Sequence, residues 1–233
     1  MPKLLIFAGT TEGRERIDMA LQDGDTVIAC VASVYARTLL PENIHCHTEP
    51  MTLPDMIETA RKHAPDRIID ATHPFATLVS QNIRQCAAQL NIGCERIERP
   101  TGAHAWRDHV IWADDAEQAA SIVAKEQGTI LLTTGSRTLH TYADAIDPSR
   151  LYARVLPMHE ALSVCAQSGI LPSHIIAMQG PFSIELNAAL YRQFDIKHVV
   201  SKDSGAAGGV DEKVIPALQM GINVVMIKRP KEA

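Results

Sequence analysis

Short apolar runs of strand length alternate with amphipathic helical stretches along almost the whole chain. The run Lys3–Ala8 (KLLIFA) is apolar at successive positions, which is typical of a buried strand in a parallel sheet. Within Leu53–His63, the apolar residues Met56 and Ala60 recur at helical spacing. The two patterns predict ten strands, at Lys3–Ala8, Thr26–Ala32, Arg67–Ala71, Cys94–Ile97, Val110–Ala113, Thr129–Thr133, Leu151–Leu156, Ile175–Met178, His198–Ser201 and Val224–Ile227. The predicted helices are Glu12–Gln22, Leu53–His63, Phe75–Leu90, Ala116–Glu126, Leu139–Ile146, Glu160–Gln167, Ser183–Phe194 and Glu212–Met220.

This alternation predicts an α/β protein, in which parallel sheets are covered by helices on both faces. Ten strands are many for a single sheet in a chain of 233 residues. The segment Pro100–Asp108 interrupts the pattern with Pro, Gly and polar residues, which are typical of a boundary. We therefore expect two Rossmann-like domains, residues 1–100 and residues 101–233, each with a parallel sheet flanked by helices.

Five predicted strand-to-helix loops are rich in Gly, Thr, Ser and charged residues. In open parallel sheets, ligands bind at the carboxyl ends of the strands, where such loops gather. The five loops therefore predict a binding site. They are Gly9–Arg14 (GTTEGR), Asp70–Phe75 (DATHPF), Thr133–Arg137 (TTGSR), Gln179–Ser183 (QGPFS) and Ser201–Gly209 (SKDSGAAGG).

The first of these loops has the composition of a phosphate-binding turn. Glycine lets the backbone approach a ligand closely, and a helix N-terminus offers N–H groups and a partial positive charge to a phosphate. We therefore predict that residues 1–100 form a dinucleotide-binding domain, although a capped turn without a ligand would explain the same sequence. The predicted cofactor-binding residues in this loop are Gly9, Thr10, Thr11, Glu12, Gly13 and Arg14.

Ser33 and Arg37 follow the second predicted strand, at the position that faces the adenosine ribose in dinucleotide-binding folds. No Asp or Glu occurs within Val31–Leu40, and an arginine beside a hydroxyl suits the 2′-phosphate of NADPH. A surface arginine without a ligand is the alternative. These residues favour NADPH as the cofactor and leave NADH open.

Several cationic residues lie in or beside the predicted loops. Arg96 and Arg99 belong to the segment ERIERP, where they could bind carboxylates of a substrate or form surface ion pairs. The glycine-rich segment SKDSGAAGG is costly to order, so it indicates close backbone approach to a ligand or mobility. The residues predicted to bind substrate are Arg96, Arg99, Ser204, Gly205 and Lys213.

Composition excludes several other classes of protein. The chain is 46% hydrophobic and 21% charged, which is typical of a globular protein, and its net charge of −5 argues against a nucleic-acid partner. No apolar run approaches the roughly 20 residues of a membrane span, and five cysteines without a CxxC pair suit a cytoplasmic protein.

We expect no metal at His45-Cys46-His47, because strand side chains alternate faces and no second ligand pair has suitable spacing. The oligomeric state is not predicted.

Six motifs follow one another between Gly9 and Lys213. They are GTTEGR, DATHPFA, ERIERP, TTGS, QGPFS with Glu185 and Asn187 just after it, and SKDSGAAGG. Together they resemble the precorrin-6A reductase family, including its cobalt-precorrin-6A form. The resemblance implies a two-domain α/β fold with the nicotinamide cofactor and a tetrapyrrole substrate in the cleft between the domains. It also implies hydride transfer to a macrocycle double bond, which gives precorrin-6B or its cobalt form in cobalamin biosynthesis.

A reduction of this kind needs a proton as well as a hydride. His73 is the first candidate donor because histidine titrates near neutrality, although it could simply bond the loop backbone. Lys202 is the second and would need a lowered pKa, whereas Asp70 could orient His73 or bind substrate. Further predicted cofactor contacts are Thr134, Gly135 and Ser136. Two other functions stay open: a cofactor-free tetrapyrrole synthase and a non-catalytic dinucleotide sensor.

Overall fold

A computed structural model describes residues 1–98, 104–205 and 208–230. The chain divides into two compact units, with the division after Pro100. Each unit contains one sheet in which every pair of neighbouring strands is parallel. The predicted fold class, parallel α/β sheets flanked by helices, is therefore confirmed.

Unit 1 is a five-stranded sheet with the strand order β3-β2-β1-β4-β5. Its strands are β1 (Lys3–Ala8), β2 (Thr26–Cys30), β3 (His45–His47), β4 (Arg67–Ala71) and β5 (Gly93–Arg96). Its helices are α1 (Thr11–Gln22), α2 (Val34–Arg37), α3 (Leu53–His63) and α4 (Thr77–Leu90).

The central strand β1 is buried on both faces, as its apolar run predicts. Leu4 and Ile6 pack on one side of the sheet with Ile17 of α1. Leu5 packs on the opposite side with a cluster that includes Met56 of α3 and also contains residues of α4. The alternation of side chains along one strand therefore supplies two separate cores, and it holds α1 on one face and α3 and α4 on the other.

Unit 2 is a six-stranded sheet with the strand order β6-β11-β10-β7-β8-β9. Its strands are β6 (Ile111–Ala113), β7 (Thr129–Leu132), β8 (Leu151–Val155), β9 (Ile175–Ala177), β10 (Ile196–Lys202) and β11 (Asn223–Ile227). Its helices are α5 (Ala116–Ala124), α6 (Leu139–Ala145), α7 (His159–Gln167), α8 (Ile184–Gln193) and α9 (Val210–Gln219). One face of this sheet packs through Leu131 and Val199 against Tyr191 of α8 and Val214 of α9.

The sequence patterns missed two elements of unit 1, and the described residues contain eleven strands rather than the ten predicted. The edge strand β3 has only three residues, two of which are polar histidines, and it carries no apolar run. The helix α2 has four residues, which is too short to show a helical period. Among the described residues, no helix has both the length and the apolar composition that crossing a membrane would require.

Gly13 sets how closely α1 approaches the sheet. A Cβ at this position would lie 3.1 Å from both the Ala8 Cα atom and the Ala71 Cβ atom, which is tighter than ordinary packing allows. The first turn of α1 can therefore lie directly on β1 and β4 only because residue 13 lacks a side chain.

We expect Gly13→Ala to destabilise the protein, although alanine is favoured over glycine in helices by about 1 kcal/mol. Overpacking a core typically costs about 1–3 kcal/mol, so the net loss should be on the order of 1 kcal/mol. Urea unfolding followed by circular dichroism measures this difference. The matched control is Gly93→Ala, where an added Cβ would meet no atom within 4 Å. A stabilised Gly13→Ala protein would show that the helix shifts without cost.

Candidate active site

The strand order of unit 1 reverses between β1 and β4, so the loops after these two strands flank one crevice. Such a switch point is where open parallel sheets bind their ligands. The two loops start side by side, because the Gly9 N–H donates to the Ala71 carbonyl at 3.3 Å. A Cβ added to Gly9 would come no closer than 3.8 Å to Thr72 or His73, so the backbone there is open to a ligand.

The hydroxyl of Thr10 holds this turn together. Thr10 is buried, and its Oγ1 atom donates to the Ala71 carbonyl at 3.0 Å and accepts the Gly13 N–H at 3.1 Å. Thr10 thus caps α1, and its hydroxyl is used within the protein rather than left for a cofactor. Beside it, Arg14 Nη2 donates to the Thr11 hydroxyl at 3.0 Å, so the first turn of α1 presents backbone N–H groups together with a cation.

Ser33 and Arg37 lie beyond β2, which is the neighbour of β1 in the sheet. Ser33 caps α2, because its Oγ atom accepts the Ala36 N–H at 3.1 Å. Arg37 folds back on its own loop, where Nη1 donates to the Pro41 carbonyl at 2.8 Å and Nη2 to the Glu42 carbonyl at 3.0 Å. Arg37 therefore shapes the loop at the predicted ribose position and uses several of its donors in doing so.

Asp70 and Arg96 form an ion pair at the end of β4 and β5. Arg96 Nη1 lies 2.5 Å from Asp70 Oδ1, and Asp70 is only 1% exposed. The Thr72 N–H and hydroxyl also donate to the same oxygen, at 3.0 and 2.8 Å. Arg96 thus supports the loop before His73 with part of its guanidinium, while Arg99, which was predicted to bind substrate beside it, lies outside the described residues.

His73 stands at the switch point, where its Nδ1 atom accepts a hydrogen bond from the backbone. The Phe75 N–H donates to His73 Nδ1 at 3.2 Å, so Nδ1 acts as an acceptor and the neutral ring carries its hydrogen on Nε2. A protonated ring would carry a hydrogen on Nδ1 as well and would lose the bond from Phe75. The local geometry thus favours His73 as a neutral hydrogen-bond donor through Nε2.

Unit 2 has a switch point of its own, between β7 and β10. Lys202, at the end of β10, reaches across it and donates from Nζ to the Thr134 carbonyl at 2.8 Å. Burial lowers the pKa of Lys202, and the nearby charge of Arg137 lowers it further. Gly135, in the loop after β7, has a φ of 81°, which glycine adopts without strain, and Ser136 starts a short 3₁₀ helix. Lys202 thus has the direction of pKa shift that a proton donor would need.

The glycine-rich loop after β10 is fastened by Lys213 of α9. Lys213 is buried, and its Nζ atom donates to the Gly208 carbonyl at 2.7 Å. The Gly208 N–H donates in turn to the Gly205 carbonyl at 2.9 Å, while the N–H of the buried Ser204 donates to the Lys202 carbonyl at 2.7 Å. Lys213 therefore orders this loop from within. Ala206 and Ala207 lie outside the described residues.

Arg154 is a cation that the sequence patterns missed. It lies in the buried strand β8, where it is 6% exposed, donates to Asn187 Oδ1 at 2.7 Å and stacks on the Phe182 ring at 4.2 Å. No acidic side chain among the described residues forms a salt bridge with it. Desolvation by burial and, to a smaller extent, the charge of Arg154 lower the pKa of Lys213 to about 7. The charge of Glu212 opposes this shift. A charged residue in the apolar run LYARV was the signal available in the sequence.

The structure brings the segment His45-Cys46-His47, where no metal was expected, together with a third histidine. His45 and His47 are two residues apart in β3, so they share one face of the sheet, and only Cys46 points to the other. His63, the last residue of α3, completes a group of three histidines that no pattern of nearby ligand pairs could show.

Comparisons with known proteins agree on one family. The family model described as Precorrin-6x reductase CbiJ/CobK matches residues 3–233. A cobalt-precorrin-6A reductase of Priestia megaterium is 36% identical over 98% of this chain and 91% of its own length. A precorrin-6A reductase of Rhodobacter capsulatus is 26% identical over 99% of this chain and 89% of its own. A solved structure of CobK precorrin-6A reductase has a TM-score of 0.81 at 25% identity and covers all of this chain and 90% of that one.

Two parallel α/β sheets with glycine-rich strand-end loops, together with these relatives, define a reductase of the Rossmann-like class. Such an enzyme uses a nicotinamide cofactor, and the open backbone at Gly9 beside the start of α1 suits the phosphates of one. The chain belongs to the precorrin-6x reductase family. It is therefore an oxidoreductase of cobalamin biosynthesis that acts on a tetrapyrrole precursor, as the resemblance implied. A tetrapyrrole synthase and a non-catalytic sensor do not fit this family.

The buried position of Lys213 predicts a specific pH dependence of stability. Its pKa is near 10.5 in the unfolded chain and about 7 in the folded one, so the unfolded state binds the extra proton between these values. The free energy of unfolding should then rise with pH in this window, by up to about 1.4 kcal/mol per pH unit. Below pH 7 the lysine is charged in both states and the contribution to the slope vanishes.

Urea titrations at several pH values between 7 and 10, on the native protein and on Lys213→Met, measure this effect. Buried groups such as Tyr142, whose pKa is raised by burial, titrate equally in both proteins and cancel in the difference. The native protein should gain stability relative to the variant as the pH rises. Parallel curves for the two proteins would show that burial does not lower the pKa of Lys213.

Proposed function

We propose that this chain reduces cobalt-precorrin-6A with a hydride from NADPH in the cytoplasm. The relatives named cobalt-precorrin-6A reductase include proteins 36% and 34% identical to this chain over 98% of its length. Those named precorrin-6A reductase are 30% and 26% identical over 99% of its length. The two higher of these four identities belong to relatives named for the cobalt form, which supports that form as the substrate.

The observation that carries the cofactor assignment is the switch point of unit 1. The open backbone at Gly9 and the first turn of α1, including Thr11, Glu12 and Arg14, would hold the pyrophosphate. Ser33 and Arg37 would face the ribose, and the absence of Asp and Glu from residues 31–40 suits a 2′-phosphate. In the second unit, the TTGS loop supplies the other proposed cofactor contacts, which are Thr134, Gly135 and Ser136.

The reduced nicotinamide supplies the hydride to one carbon of the macrocycle double bond. The side chains of this protein would then bind the substrate and deliver a proton to the other carbon. Carboxylates of the substrate need cations, and we assign this role to Lys213 and Arg154, together with Arg96, Arg99 and the loop at Ser204 and Gly205. Lys213 and Arg154 are both buried, and among the described residues neither forms a salt bridge with an acidic side chain. They favour an anionic ligand, because a carboxylate would offset the repulsion between them.

Lys202 is the better supported proton donor. Its ammonium is partly buried, and its lowered pKa makes it a stronger acid than an exposed lysine. His73 ranks below Lys202, because a protonated His73 ring would carry a hydrogen on Nδ1 and could not accept the bond from the Phe75 N–H. Asp70, which is paired with Arg96 and Thr72, would position the loop that contains His73 rather than exchange a proton itself.

The reductase assignment is tested by anaerobic incubation of the protein with NADPH and each macrocycle, following NADPH absorbance. We expect kcat/KM for cobalt-precorrin-6A to exceed that for metal-free precorrin-6A by about tenfold or more, which is a difference of about 1.4 kcal/mol in transition-state binding. If neither macrocycle causes oxidation of NADPH, the proposed activity is overturned. Equal rates with both would overturn the preference for cobalt.

Replacing Gly9 tests the pyrophosphate site. An alanine fits the protein, since its Cβ would meet only ordinary contacts at 3.8 Å, but it would intrude on a closely held phosphate. Gly9→Ala should therefore fold normally and bind NADPH about tenfold or more weakly, because losing one charge-assisted hydrogen bond costs about 1.5–3 kcal/mol. Fluorescence titration measures the affinity, with Gly93→Ala as the control. Unchanged affinity would place the pyrophosphate elsewhere.

Arg37→Ala tests the choice of cofactor. A charge-assisted bond to the 2′-phosphate is worth about 1.5–3 kcal/mol, so NADPH should lose about ten- to a hundredfold in affinity and NADH much less. The bonds from Arg37 to the Pro41 and Glu42 carbonyls give the variant a second effect, on loop order. Loss of loop order alone would weaken both cofactors equally, and that result would remove Arg37 from the phosphate site.

Single variants of Lys202 and His73 test the source of the proton. General-acid catalysis is worth about 10²–10⁴-fold in rate, so at saturating NADPH the kcat of Lys202→Met should be at least about a hundredfold lower than that of the native enzyme. The native enzyme should lose activity as the pH rises through the lowered pKa of Lys202, and the variant should lack this decline. His73→Ala serves as the comparison. If its kcat falls instead, His73 is the donor, and if neither kcat falls, the proton comes from water.

A further inference from the structure

Three histidines converge at the edge of the unit 1 sheet. The parallel pairing of β3 with β2 sets His45 opposite Ile28 and His47 opposite Cys30. Cys46, between them, packs into the core on the α1 side of the sheet, so both histidines face the α3 side. His63 ends α3 on that side, and the ring centroids of the three histidines are 4.6 to 5.5 Å apart.

The spacing of the ring nitrogens matches a metal ion. One nitrogen from each of the three histidines lies within 4.8 Å of the others. His47 Nε2 and His63 Nε2 are 3.4 Å apart. Two imidazole nitrogens bound to one tetrahedral zinc ion at about 2.0–2.1 Å are separated by about 3.3–3.4 Å. His45 is exposed, so its ring can rotate the remaining distance without disturbing the core.

We propose that His45, His47 and His63 bind one divalent transition-metal ion, with zinc as the reference ion. Three imidazoles are a ligand set that suits zinc, nickel and copper, and a water molecule would fill the fourth position. A cavity of about 450 Å³ borders His47, and one of about 390 Å³ borders His45 and His63, so an ion can enter from solvent.

The charges around the three histidines limit the affinity of this site. Lys3 lies close, since its Nζ atom donates to the His63 carbonyl at 2.9 Å, and Lys62 is the neighbour of His63 in α3. Among the described residues, no carboxylate or thiolate belongs to the group. A bound ion would connect the short edge strand β3 to the end of α3, so it would act by stabilising this corner of unit 1 and would be independent of the reductase reaction.

Zinc titration of the tag-free, chelator-treated full chain tests the proposal. Calorimetry should show one zinc ion per chain, and the thermal unfolding temperature should rise with zinc, because a ligand that binds only the folded state stabilises it. Cobalt(II) should give the visible absorption of a tetrahedral ion. Absence of one-to-one binding would overturn the site and would show that the histidines only hydrogen-bond to one another.

Substitutions identify the ligands. His63→Ala and His47→Ala should each weaken zinc binding by more than about a hundredfold, which exceeds the usual effect of changing a group that merely supports a ligand. Both variants should lose the zinc-dependent rise in unfolding temperature. The matched control is His140→Ala, an exposed histidine of α6, which should bind zinc as the native chain does. If either ligand variant fails to fold, the other gives the result, and native affinity in a folded ligand variant would overturn the proposal.

Discussion

Parallel pairing of the strands is the constraint on which the rest of this structure depends. Because every strand runs in the same direction within its sheet, each chain segment must return across the sheet before the next strand, and all strand-to-helix loops emerge at one edge. The strand order then reverses once near the centre of each sheet, between β1 and β4 and between β7 and β10. The loops proposed to hold the pyrophosphate and to deliver the proton start at these two reversals.

At each reversal, a polar bond joins the two flanking loops. In unit 1, Gly9 and Thr10 both bond to the Ala71 carbonyl, and in unit 2 Lys202 bonds to the Thr134 carbonyl. These bonds fix the loop starts while the glycines leave the backbone open. Lys213 gives the loop after β10 a second anchor, from a buried ammonium whose desolvation lowers its pKa to about 7. The loops therefore combine open backbone with defined geometry, which a preorganised binding site needs.

Sequence patterns predicted the fold better than the role of each side chain. The apolar runs and helical spacings identified ten of eleven strands in the described residues, because burial on both faces leaves a direct mark on the sequence. The strand-to-helix loops were located as well, because they begin where these apolar runs end. The partners inside them were not predictable: the pairing of Asp70 with Arg96 joins β4 to β5, and the bonds of Arg37 depend on a short loop conformation. His63 was missed because it is distant in sequence from His45 and His47, and the partner of Arg154, Asn187, is likewise distant from it.

We propose above that NADPH binds at the switch point of unit 1, and the roles assigned to the loop residues depend on this binding. Hydrogen–deuterium exchange of the full chain, with and without NADPH, tests it most directly, because a phosphate held by backbone N–H groups slows their exchange. We expect slower exchange within residues 9–14 and 33–38. Unchanged exchange in both segments at a saturating NADPH concentration, with protection confined to residues 133–137 or 201–205, would contradict it.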